Sequence, residues 1–316
     1  MPPVRRPRFS VQPAQQFVAS WPEMVRTWQE AERLGYDTVY TYDHLTSVVV
    51  MTDAFDPSLE AWSVLAALAA LTSRIRLGTL VTGNTYRHPA VLAKMATTVD
   101  VISGGRLDLG IGSGWYVPDH EMFGIPFRTA AERCAMLDEA LTVIRALWRE
   151  REASFAGRYY RLANAIAEPK PVQSPHPPIL VAASGEKRML PIVARHADAW
   201  NSFGSPAVFR RKIEILAEHC RAAGRDVGHI EKSVLLPASL DEDPAAAEPM
   251  VQGYAMYQGI SPEEARSWML LGGPRAVAEQ IEGYLAVGVT HFILQLNLFN
   301  REVMARFAAE VMPAFR

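Results

Sequence analysis

Two kinds of apolar run alternate along this chain. Short runs rich in β-branched and aromatic residues, such as "TVYTY" at 38–42 and "ILVAA" at 179–183, predict strands. Longer segments with apolar residues at helical spacing, such as "WPEMVRTWQEAERLG" at 21–35, predict helices between them. Strands are predicted at 8–12, 38–42, 75–81, 106–112, 179–183, 199–203, 231–238 and 291–296. Helices are predicted at 21–35, 58–72, 89–103, 131–150, 186–197, 206–224, 274–287 and 301–311. Gly35 and Pro89 fall where a helix ends and another begins. Alternating βα units imply an α/β fold with a parallel sheet, and eight of them favour a closed (β/α)8 TIM barrel over an open doubly wound sheet. Residues 1–316 read as a single barrel domain with irregular insertions near 113–128, 153–178 and 239–262. The middle insertion opens with a hairpin pattern around Ala156-Gly157 and continues as proline-rich extended chain.

Charge and composition narrow the picture. A net charge of −2 gives no global attraction to nucleic acid or anionic lipid. No apolar run approaches the roughly 18 residues needed to span a bilayer. The basic N-terminus is followed by no apolar signal core, which predicts a cytoplasmic protein. Cys134 and Cys220 both fall in predicted helices and are expected to be reduced thiols.

On such a barrel, chemistry gathers at the carboxyl ends of the strands. Gln12 ends strand one, Asp43-His44 ends strand two, and Thr82 follows strand three. Gly112-Ser113-Gly114-Trp115 follows strand four, and Ser184-Gly185-Glu186 follows strand five. The turn Gly110-x-Gly112-x-Gly114 does not match the G-x-G-x-x-G dinucleotide fingerprint and follows the fourth strand rather than the first. It is either a tight turn that needs small residues or a place where backbone approaches a flat cofactor. Its spacing is also wrong for a G-x-S-x-G nucleophile elbow. His44, beside Asp43, is a proton-moving candidate or a structural hydrogen-bonder. Ser184 and Gly185 precede a helix, so they either cap it or bind an anion there. Trp115 and Tyr116 either wall a substrate pocket, together with Gln12, or pack within a loop. His88, before Pro89, suits a helix start, and no histidine pair has metal spacing, so no metal is expected.

The segments "YDHL", "LEAWSVLAALAALTSRIRLGTLVTGNTYRHPAVLAKMATTVDVISGGRLDLGIGSGW", "HEMFGIPF" and "PPILVAASGEKRMLPIVARHADAWN" resemble the luciferase-like monooxygenase family, in particular its deazaflavin (F420)-dependent branch. The resemblance covers roughly residues 8–235. It implies a (β/α)8 barrel, usually a homodimer. It also implies that Asp43 helps anchor the cofactor ring while His44 serves as acid/base. A non-prolyl cis peptide at Leu80–Val81 would back the ring, beside Thr82. Gly112, Ser113, Gly114 and Trp115 would line the cofactor's side chain. Ala183, Ser184, Gly185 and Glu186 would hold its phosphate. Two departures stand out. Trp115 replaces the glutamate of the sugar-phosphate dehydrogenase members, so that reaction is not carried over and a bulkier, apolar or aromatic substrate is indicated. Ala182 and Ala183 stand where a run of glycines is expected.

The expectation is therefore an enzyme that passes hydride between reduced F420 and a small organic molecule such as an imine, enone or ketone. An FMN-dependent monooxygenase using oxygen is the alternative on the same barrel. A non-catalytic flavin- or deazaflavin-binding protein is a third, from another class.

Overall fold

The computed structural model describes residues 6–13, 20–48, 55–295 and 301–316. The predicted strands are β1 (Arg8–Val11), β2 (Thr38–Thr41), β3 (Arg76–Thr79), β4 (Leu107–Gly112), β5 (Ile179–Ala182), β6 (Ala199–Ser202), β7 (Glu231–Ser239) and β8 (His291–Gln295). Each pairs in parallel with the next, and β8 closes the barrel on β1, with Arg8 opposite His291 and Val11 opposite Leu294. These strands are buried on both faces, which is why they read as near-continuous apolar runs. Phe9, Val39, Leu77 and Leu109 pack in the main core that includes the surrounding helices. Tyr40, Leu180, Leu235 and Ile293 belong to a second cluster, with Leu80, which fills the barrel interior.

Helix boundaries follow from local chemistry. Trp21–Leu34 has Pro22 in its first turn and ends at Gly35 with φ 82°, the left-handed stop that glycine permits. Ala130–Arg149 begins with a reciprocal capping box between Thr129 and Glu132. The helix expected from residue 58 starts later, at Ala61, because the Glu60 side chain accepts from the backbone N–H groups of Trp62 and Ser63. His88 caps the helix Pro89–Ser103 through Ala90 N. Among the described residues, no helix is long and apolar enough to cross a membrane.

Polar residues divide between the two ends of the barrel. The amino ends of the strands carry a buried charge network. Arg8 reaches Glu231 at 2.8 Å and Asp108 at 3.2 Å, and Arg76 reaches Asp108 at 2.6 Å. Ser10 and His291 Nε2 lie 2.7 Å apart in the same layer. Paired charges at this end speak for stability rather than catalysis.

Two of the irregular stretches are more ordered than their patterning predicts. The stretch 113–128 contains the short helix Val117–Met122. The stretch 239–262 contains the turn Pro244–Ala247 and the helix Glu248–Gln258. That helix buries only Val251 and Ala255, too few positions to give an apolar stripe in the sequence. The expected hairpin is present as Ala153–Ala156 paired with Arg161–Ala165.

Candidate active site

A cavity of about 520 Å³ opens at the carboxyl ends of the barrel strands. Its size suits a cofactor or small-molecule site. The glycine turn explains part of its shape. A Cβ on Gly110 would lie 1.8 Å from the carbonyl oxygen of Thr79, and one on Gly112 would lie 3.0 Å from Val81 Cγ2. The first glycine is thus required by the close approach of β4 to the end of β3. The second lets Val81 press against the strand. Of the two readings of this turn, tight packing accounts for Gly110, while Gly112, Ser113 and Gly114 border the cavity.

The chain after β3 bulges into the cavity through a cis peptide between Leu80 and Val81. It is held from several sides. Leu80 N donates to the Thr41 carbonyl at 2.8 Å, and Gln12 Nε2 donates to the Leu80 carbonyl at 2.6 Å. Trp62 Nε1 donates to Thr82 Oγ1, which lies 3.1 Å from Thr79 Oγ1. The other side of the Gln12 amide, Oε1, is buried on the cavity wall with no partner among the described residues. An acceptor left this way calls for a donor on a bound molecule.

His44 lines the cavity, and its Nδ1 lies 2.9 Å from Asp119 Oδ2. Asp119 is fully buried and receives four further hydrogen bonds, from Leu45 N, Thr46 N, Thr46 Oγ1 and the Tyr86 hydroxyl. Burial alone would raise its carboxyl. The bonds from His44, Thr46, Tyr86 and Leu45 outweigh that and hold it at about 2. An ionised Asp119 can only accept, so His44 Nδ1 carries a proton and its Nε2 is the nitrogen available to a bound molecule. Trp115 and Tyr116 meet the imidazole edge-on at 5.5 and 5.2 Å.

Asp43 borders the cavity but is engaged behind it. Arg87 donates to both its oxygens, at 2.6 and 2.9 Å, and to Glu60 at 2.6 Å. Burial pushes the Asp43 carboxyl upward, and the Arg87 guanidinium pulls against it.

Most residues expected at the site come together. Gln12, Leu80, Val81, Thr82, Trp115, Ala183, Ser184 and Gly185 all border the cavity. Two do not. Tyr116 is buried behind His44 rather than on the wall, because the turn into Val117–Met122 swings it inward. The Glu186 side chain instead pairs with Arg211 at 2.6 Å. The helix after β5 starts at Met189 rather than 186, so Glu186 sits in a preceding turn. Sequence reasoning missed Asp119, Tyr86 and Arg87, and also Tyr254, Tyr257 and Gln258, which the helix Glu248–Gln258 brings to the wall.

A family model described as "Luciferase-like monooxygenase" matches residues 5–269. An F420-dependent glucose-6-phosphate dehydrogenase of Kineococcus radiotolerans is 30% identical over 313 residues, covering 91% of each chain. The pyrimidine monooxygenase RutA of Cronobacter sakazakii is 32% identical over 248 residues, 76% of this chain and 70% of that one. Among solved structures, an F420-dependent secondary alcohol dehydrogenase in complex with an F420-acetone adduct superposes with a TM-score of 0.86. It is 20% identical and covers 99% of this chain and 100% of its own.

Proposed function

Because this chain belongs to the luciferase-like monooxygenase family, we propose that it is an oxidoreductase that transfers a hydride between reduced coenzyme F420 and a carbon of an imine, enone or ketone. The observation that carries this reading is the imidazole of His44, held at Nδ1 by an ionised Asp119 on the wall of a cavity into which Leu80–Val81 bulges. The F420-dependent relative that spans nearly the whole chain favours F420 over FMN.

The residues present fit a flat ring with an anionic tail. The orphaned Gln12 Oε1 offers an acceptor, the Leu80–Val81 peptide a backing surface, and Gly112–Gly114 an open edge. Asp43, Leu80, Val81 and Thr82 would border the ring, and Gly112, Ser113, Gly114 and Trp115 its side chain. Ala183, Ser184 and Gly185 would receive the phosphate, with the Glu186 backbone. Bound reduced F420 would supply the hydride, two electrons with one hydrogen nucleus.

The protein supplies position and a proton. In the reducing direction His44 gives its Nε2 proton to the substrate oxygen or nitrogen, or to the α-carbon of an enone. The imidazole is left neutral, with Nδ1–H still on Asp119. Hydride plus proton add two hydrogens to the substrate. In the oxidising direction His44 takes the proton, and the Asp119 carboxylate stabilises the imidazolium that forms.

Fluorescence titration of the purified protein with each cofactor tests the assignment. F420 should bind saturably at micromolar concentration, roughly −8 kcal/mol for 1 μM, with FMN at least about tenfold weaker. Tight FMN binding without F420 binding would sink the reading in favour of an oxygen-using monooxygenase.

A further inference from the structure

We infer that the substrate of this cavity is an electrically neutral, largely apolar carbonyl or conjugated compound, and that phosphorylated sugars are excluded; this rests on the oxidoreductase reading above.

The first observation is the chemistry of the wall. None of the described residues bordering the cavity is lysine or arginine. A phosphate dianion taken out of water needs cationic or densely hydrogen-bonding partners. Arg87, behind Asp43, is already shared between Asp43 and Glu60. Asp119 in turn holds His44. His44 and Arg87 are each already matched by carboxylates, so neither is free to meet a substrate anion. Lys187 and Arg188 are exposed in the loop after β5 and do not border the cavity. Their position suits the anionic tail of the cofactor rather than a charged substrate.

The second observation is the aromatic closure around His44. Trp115 lies 5.5 Å from the imidazole, and Tyr257 meets Trp115 at 6.2 Å. Tyr42, Phe203 and Tyr254 extend the same wall. Burial pushes the phenols of Tyr42, Tyr254 and Tyr257 upward, the last to about 12, so they stay neutral donors. The remaining polar groups are amides. Gln295 Nε2 donates to the Tyr42 hydroxyl at 2.7 Å, and Asn201 and Gln258 also border the space. Aromatic faces with neutral hydrogen-bonding groups select a flat molecule carrying one carbonyl or hydroxyl. The cavity thus departs from what the name of the Kineococcus relative implies for that protein's substrate.

The test measures two things on the purified protein. Calorimetry on the cofactor-free protein follows binding of one- and two-ring cyclic ketones and enones, their ring-carboxylate analogues, and glucose 6-phosphate. With F420 added, turnover of the same compounds is followed by F420 fluorescence. Neutral members should bind and turn over at least about tenfold better than their carboxylates, a factor of ten being about 1.4 kcal/mol. Glucose 6-phosphate should be inert. Tyr257→Lys should shrink the neutral-to-carboxylate ratio by about tenfold. Carboxylates or glucose 6-phosphate equal to or better than the neutral compounds would overturn the inference, as would no saturable binding of any neutral member. If F420 fails to bind but the neutral preference persists in calorimetry, the cofactor reading fails and the substrate class stands.

Discussion

His44→Ala is expected to lower kcat by about 10²–10⁴-fold, the usual worth of a positioned acid or base, while leaving F420 affinity within a few-fold. Asp119→Asn should cost about 10²-fold or more, because the amide has one acceptor for five incoming donors and no charge to support an imidazolium. The two losses should not add. If Asp119 acts through His44, the double variant is no slower than His44→Ala alone. Additive losses would mean that Asp119 contributes separately, through the loop it ties together. Thermal melting and F420 titration of each variant separate lost chemistry from lost structure. Because Asp119 is held at about 2, it adds no limb to a kcat profile recorded between about pH 5 and 9, so any limb there belongs to another group. Full activity in His44→Ala would remove the acid/base role of His44 and favour the oxygen-using reading.

Gly110→Ala is the second large effect, and it acts on the fold. The new methyl would stand 1.8 Å from a backbone carbonyl oxygen, where no rotamer change can relieve it. Overpacking a core costs typically 1–3 kcal/mol. A backbone clash belongs at or above the top of that range, so the variant should melt several degrees lower or fail to accumulate. Gly253→Ala is the contrast. Gly253 lies exposed in the helix Glu248–Gln258, with nothing within 4 Å of the added methyl. It should gain about 0.4–1 kcal/mol by restricting the unfolded chain. Equal melting temperatures for the two variants would refute this account of the glycine turn.

The barrel was legible in the sequence because each strand is buried on both faces and several helices carry a punctuating proline, glycine or cap. The first residues of the site were legible for a topological reason: whatever follows a barrel strand lies at its mouth. Gln12, His44 and the residues after β3, β4 and β5 are found this way. The partners that tune them were not. Asp119 meets His44 across 75 positions of sequence, from a helix too short to leave a periodic pattern. Arg87 reaches Asp43 across 44 positions from a loop whose local signal is the helix start at His88 and Pro89. Tyr254 and Tyr257 come from a helix with only two buried positions, so its stretch read as irregular. Residue type and strand end predict where chemistry happens. The long-range hydrogen bonds to His44 and Asp43, and the aromatic wall of the cavity, appear only once the chain is folded.

The central claim is direct hydride transfer aided by His44, and the label carried by the hydride tests it most directly. In an anaerobic single turnover, reduced F420 carrying deuterium at both C5 positions is mixed with the protein and a neutral cyclic enone or ketone. One deuterium per product molecule on the carbon that accepts hydride, with no requirement for oxygen, is the predicted result. A product without that deuterium, formed only when oxygen is admitted and carrying an oxygen atom from it, would contradict the account.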